Sequence, residues 1–123
     1  MAAERDDNAN LWDMLTAARA IESFVRGRSY DDYGADLMLR SAVERQIEII
    51  GEAARRVSSE FQTAHPEIPW RPIQAQRHVL AHEYGEIKHD RIWRVAEQHV
   101  PELIELLESL VPQPPVSGPG DQT

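Results

Sequence analysis

Seven apolar residues, Leu39, Val43, Ile47, Ile50, Ala54, Val57 and Phe61, follow one another at steps of 4, 4, 3, 4, 3 and 4. A strand would alternate with period two, so only a helix of about six turns gathers these side chains into one stripe. Such a stripe must be covered by other helices, since no stretch of the chain carries a strand pattern. Leu11, Leu15, Ala18, Ile21 and Val25 recur at helical spacing after Asn10, a good N-cap, which predicts a first helix ending near Arg26 and Gly27. Ser29 and Asp32 have the spacing of a capping box that opens a second segment, with Gly34 as its expected interruption. Pro66, Pro69 and Pro72 break the helical pattern, and Pro72 suits the first residue of a third main helix that ends near Tyr84 and Gly85. Ile92, Ala96, Val100, Leu103, Leu107 and Leu110 mark a fourth, in which Pro101 would clash with the Glu97 carbonyl and predicts a kink or a restart. Gly51 inside the long stripe is costly in a helix, and beside Ala53 and Ala54 it predicts that another helix backbone packs closely there. The chain therefore reads as all-α, an up-and-down bundle of four main helices over residues 1–111. The tail, residues 112–123, holds prolines and glycines without an aliphatic pattern and is expected to be disordered.

Composition narrows the chemistry. The 123 residues suffice for one core, and the absence of cysteine excludes disulfides, thiolate nucleophiles and cysteine-ligated metals. With no long apolar run and a polar, acidic start, neither a membrane span nor a secretory signal is expected, which makes the cytoplasm the default location. A net charge of −8 argues against binding nucleic acid through overall charge. One island departs from that balance. Between Arg71 and Arg94 the chain sets Arg71, Arg77, Lys88, Arg91 and Arg94 against Glu83, Glu86 and Asp90, and adds His78, His82 and His89. It is either a local anion site or a solvated mix of ion pairs.

Three constellations bear on function. His78 and His82 stand at i and i+4 and share a helix face, with Glu86 or His89 as further conceivable metal ligands. A metalloprotease-like helix needs glutamate directly after the first histidine, and Val79 is there instead. Glu44, Glu48 and Glu52 form an acidic ridge, but a di-metal site needs a Glu-x-x-His from each of two partner helices and the chain has one, Glu86-Ile87-Lys88-His89, so pairing with Arg40, Arg45, Arg55 and Arg56 is expected. The third is Arg77-His78-Val79-Leu80-Ala81-His82-Glu83-Tyr84, an arginine, four residues, a histidine, and a tyrosine two further on. Histidine moves protons near neutral pH and arginine stabilises charge growing on a phosphoryl group, so this pattern suits phosphodiester cleavage. Arg94 and His99 repeat the spacing without the tyrosine. On an ideal helix Arg77 and His82 lie about 140° apart and roughly 7.5 Å along the axis. A helix end near His82, or a second subunit, must therefore complete the site.

Around that motif the sequence resembles the HepT-like proteins of the HEPN superfamily, small helical toxins of prokaryotic toxin–antitoxin pairs. The similar residues run from Tyr33 and Asp36 through Ala42-Val43-Glu44-Arg45, Ile49-Ile50-Gly51-Glu52-Ala53 and His65-Pro66-Glu67-Ile68-Pro69-Trp70. They continue over Arg77 to Tyr84, then Ile92-Trp93 and Val100-Pro101-Glu102-Leu103. The position after the motif arginine is most often asparagine in the family, and this chain has His78, an accepted variant. The resemblance implies a HEPN-like bundle that forms a homodimer, both motifs lining one cleft. It also implies a metal-independent ribonuclease without cofactor, the toxin of a type VII-like pair, neutralised when an MNT-type nucleotidyltransferase antitoxin adenylylates the motif tyrosine, Tyr84. On this reading Arg77 and His82 are catalytic, His78 is a supporting polar group, and the substrate is RNA, such as tRNA or mRNA, cleaved through 2′-hydroxyl attack to leave a cyclic phosphate. The alternative is a non-catalytic helical partner that serves only as the nucleotidyltransferase's modification substrate.

Overall fold

The structure, a computed structural model, describes residues 2–111, with side chains from Asp6 onward; the tail at 112–123 lies outside the described residues. Helix α1 spans Ala2–Val25 and so begins well before the expected cap. Asn10 lies inside it, its side-chain amide donating to the Arg56 carbonyl at 3.5 Å. The reason is tertiary. Asp7 is buried and accepts from both the backbone N–H and the hydroxyl of Ser58, each at 2.7 Å, which ties the first turns of α1 to a distant part of the chain.

Helix α2 (Tyr30–Ala35) opens on the expected capping box: the Ser29 hydroxyl accepts from the Asp32 N–H and the Asp32 carboxylate from the Ser29 N–H. Gly34 does not interrupt it. The break falls at Asp36, whose carboxylate accepts from the Leu39 N–H at 3.1 Å and caps α3 (Leu37–Arg56). Those backbone N–H donors hold both carboxyl groups, Asp32 and Asp36, below the usual aspartate range.

The stripe from Leu39 to Phe61 is shared between two helices. Val57 turns extended and Ser58 caps α4 (Ser59–Ala64), so the expected six-turn helix stops at Arg56. Ser58 gives its N–H to Asp7 instead of to the preceding turn, and this exchange breaks the helix. Helix α5 (Trp70–His82) starts ahead of Pro72, which sits in the first turn, where a missing N–H costs nothing. Ile68 and Trp70 are buried, and the Trp70 indole N–H donates to the His65 carbonyl at 2.9 Å. Helix α5 ends at His82, where the Glu83 N–H returns to the Val79 carbonyl. Gly85 does not stop α5. With φ of +60° it is the first residue of α6 (Gly85–Arg94), so the joint between the helices is only Glu83 and Tyr84.

A π-helical turn, Val95–His99, joins α6 to α7 (Val100–Leu110), and Pro101 lies in the first turn of α7. The expected restart is thus a widened turn, in which the Val100 N–H reaches back to the Val95 carbonyl just ahead of the proline. Counting α6, the π turn and α7 as one bent rod, the four main helices are α1, α3, α5 and this rod, in an all-α bundle without strands among the described residues. Helix α1 packs along α3 and against α7, α5 lies on another side of α3, and α2 braces α6. The core is the expected set: Leu11, Leu15, Ala18 and Ile21 meet Val43, Ile47, Ile50, Ala54 and Leu107. No described helix is long and apolar enough to cross a membrane.

Candidate active site

Three supports position α5 and its motif. At its base, Ile68 and Trp70 are buried and Phe61 stands edge-on to Trp70, ring centroids 6.3 Å apart. Along its flank the helix packs on α3 at Gly51, where a Cβ would lie in ordinary contact, 3.7 Å from both the Ile73 carbonyl oxygen and Cγ of Arg77. The close packing expected at Gly51 is therefore real, and its partner is the motif helix itself. Behind the hairpin, the buried Tyr33 ring packs on Trp93 at 5.4 Å and edge-on against His89 at 6.2 Å. Burial pushes the Tyr33 phenol pKa up. The edge-on contact turns His89 toward Tyr33, and among the described residues the three histidines of the cationic island do not converge on one site.

Helix α5 separates two concavities. Ile73, Gln76 and Val79 face a groove of about 800 Å³ whose far wall is α6, α7 and Ile47 and Ile50 of α3. Arg77, Leu80 and Ala81 face a smaller cleft of about 360 Å³, closed by Arg45, Glu48 and Glu52. His78 and His82 line neither and are exposed on the third side, with ring centroids 4.4 Å apart. The shared face expected from their spacing is thus present. Arg77 and His82 look out from different sides of one helix, as helical geometry requires.

The acidic ridge is neutralised in detail. Glu44 pairs with Lys88 at 3.1 Å, Glu48 with Arg45 at 3.6 Å and Glu52 with Arg55 at 2.7 Å. Arg40 instead donates to the carbonyls of Tyr33 and Gly34, and Arg56 forms no ion pair among the described residues. The Arg55 guanidinium grips both Glu52 oxygens and holds that carboxyl below the usual glutamate range, with the Arg77 charge adding to the effect. Because Arg55 takes Glu52, the Arg77 guanidinium has no ion pair or hydrogen bond among the described residues. The pairing of Arg55 with the ridge is the one expected from spacing, as is that of Arg45, whereas Arg40 and Arg56 do not join it. Tyr84 is 80% exposed, so it does not anchor the core.

One chain thus presents an unpaired guanidinium, two exposed imidazoles and an exposed phenol around one helix end. That set can bind a phosphodiester and move a proton, provided both sides of α5 reach one substrate. The comparisons with known proteins agree on what such a chain is. The family described as Ribonuclease HepT-like matches residues 14–110. The protein named "Putative RNase MJ1380" of Methanocaldococcus jannaschii is 32% identical over 106 residues, which cover 86% of this chain and 97% of that protein. "Probable ribonuclease HepT" of Thermococcus cleftensis is 34% identical over 107 residues, 87% of this chain and 97% of its own length. No solved structure matches. With the fold, the motif and nearly the whole helical body in common, this chain belongs to the ribonuclease HepT-like family of the HEPN superfamily.

Proposed function

We propose that the protein is a metal-independent endoribonuclease that works as a homodimer. The observation that carries this reading is the unpaired Arg77 beside a helix end that exposes His82 and Tyr84 together. An arginine that makes no direct ion pair, although its charge acts on nearby Glu52, can turn to a phosphate, and an exposed histidine is available to a proton. In the reaction the RNA 2′-oxygen attacks the adjacent phosphorus as its proton passes to an imidazole. The 5′-oxygen then leaves with a proton, and the product keeps a 2′,3′-cyclic phosphate. His82 makes one of these transfers and the same histidine of a second copy makes the other, while Arg77 stabilises the charge on the pentavalent phosphorus. A two-fold axis brings both sides of α5 to one substrate, which a single straight helix does not. His78 contributes a polar contact beside the reacting groups.

In this proposal the enzyme is the toxin of a type VII-like toxin–antitoxin pair, and an MNT-type nucleotidyltransferase is its antitoxin. Adenylylation joins the Tyr84 phenolic oxygen to the α-phosphorus of ATP and releases pyrophosphate. The added phosphodiester and nucleoside then fill the place of the substrate phosphate next to Arg77. The exposure of Tyr84 supports this, since a transferase must reach the hydroxyl. Incubating wild type and Tyr84→Phe with the cognate nucleotidyltransferase and ATP, then weighing the intact proteins, tests the step. AMP should add to wild type alone, and equal addition to both would remove Tyr84 as acceptor. A wild type that accepts AMP but cleaves no RNA in chelator would leave only a modification partner.

A further inference from the structure

We propose that His78 and His82 form a two-imidazole site for a late first-row divalent metal, Zn²⁺ being the representative ion, and that occupation of this site switches the ribonuclease off. The inhibitory half rests on the function proposed above, and the binding half does not. The geometry is the starting point. Imidazole nitrogens bind Zn²⁺ at about 2.0–2.1 Å, so two ring centroids sharing one ion at an angle between roughly 90° and 110° stand about 4.5–5.2 Å apart. Here they are 4.4 Å apart with the ring planes inclined at 44°, and both side chains are exposed and free to change rotamer, so one nitrogen of each ring can be brought to a shared ion. Neither ring is committed to a hydrogen bond or an ion pair among the described residues. The other histidines differ. His65 and His99 face Glu67 and Glu102, and His89 faces the Tyr33 ring.

Imidazole is a ligand of Zn²⁺, Ni²⁺ and Cu²⁺, and not of Mg²⁺, which requires oxygen. No third His, Asp or Glu joins the pair among the described residues, so water completes the coordination. The metal acts as an inhibitor because it takes a group that the reaction needs. Binding occupies the ring nitrogen through which His82 accepts a proton, and covers the exposed face of α5. The chain's departure at His78 creates the site, since asparagine in that position offers no imidazole.

The experiment uses the full, untagged chain, stripped of metal. Titrating it with ZnCl₂ by calorimetry should give one ion per chain, with MgCl₂ producing no signal. His78→Asn should weaken Zn²⁺ binding at least tenfold with unchanged helicity, and His99→Ala should bind as wild type does. In parallel, RNA cleavage is measured for each protein with Zn²⁺ and again after excess chelator, and each is compared with itself. Wild type and His99→Ala should lose at least tenfold and recover, whereas His78→Asn should hold its own rate at the same Zn²⁺. Absent binding, equal binding by His78→Asn, or bound zinc without loss of cleavage would overturn the proposal. If the wild type cleaves no RNA even in chelator, the ribonuclease reading falls, and the calorimetry alone still decides whether the metal site exists.

Discussion

Between Leu11 and Ile21, α1 buries Leu11, Met14, Leu15, Ala17, Ala18 and Ile21, whereas the whole of α5 buries only Trp70 and the whole of α6 only Ile92. The first region is interior on one face from end to end. The second is fixed at its ends and open between them: Trp70 holds the start of α5, Ile92 and Trp93 hold the far part of α6, and the joint at Glu83 and Tyr84 projects. The difference follows from what each region must do. Burial against α3 and α7 stabilises the fold and leaves nothing to meet a substrate, while a hairpin supported from behind exposes polar groups without exposing the core. Stability and chemistry should accordingly be separable by mutation.

The largest separation is expected at Arg77. Arg77→Ala should lower RNA cleavage by about 10²–10³-fold, the usual loss on removing one preorganised charge donor. Its unfolding midpoint in urea should stay near wild type, because the exposed guanidinium makes no ion pair or hydrogen bond among the described residues and its charge acts on Glu52 only at a distance. A large fall in stability would make Arg77 a structural residue and erase the contrast. The reverse case is Leu15→Ala, which empties a fully buried position between α1 and its neighbours and should cost about 2–5 kcal/mol in denaturant unfolding. Cleavage by the fraction still folded should be unchanged.

Asp7→Ala sharpens the comparison at a smaller scale. It strands the Ser58 N–H and hydroxyl, and should destabilise by about 1–3 kcal/mol, read from the same urea curves. Near-wild-type stability would mean that the break between α3 and α4 forms without α1. Smallest is Gly51→Ala. The added methyl would meet Arg77 Cγ and the Ile73 carbonyl at ordinary contact distance, so the helix propensity gain of at most about 1 kcal/mol should appear as a slight rise in stability with activity kept. Lost activity there would show that even a methyl displaces the motif helix.

The same contrast governs how much could be read from the chain. Buried faces write themselves as periodicity, and the stripes from Leu11 to Ile21, from Leu39 to Val57 and from Ile92 to Leu107 all became core. Contacts between distant residues leave no such trace. The stripe continued smoothly through Val57 to Phe61, and the break at Ser58 depends on Asp7, 51 positions away and ahead of the first apolar repeat. Likewise Gly85 carries the signature of a helix stop, yet the chain uses its positive φ to begin α6. At the site, the i,i+4 pairing of His78 with His82 and the split between Arg77 and His82 followed from helical arithmetic. The pairing of Arg55 with the ridge was legible too, but that Arg55, and not Arg56 or Arg77, makes the direct contact with Glu52 needed the side chains, since all three act on that carboxyl.

The account stands most directly on His82. Cleavage of a defined RNA by untagged wild type and His82→Ala should be timed in excess chelator, with the unfolding curve of each protein recorded from the same preparation. The prediction is a loss of about 10²–10⁴-fold in rate, a scale typical of a removed proton-transfer group, with superimposable unfolding curves. Full activity in a pure His82→Ala preparation, or a collapse of its stability, would contradict the assignment of the chemistry to the exposed hairpin.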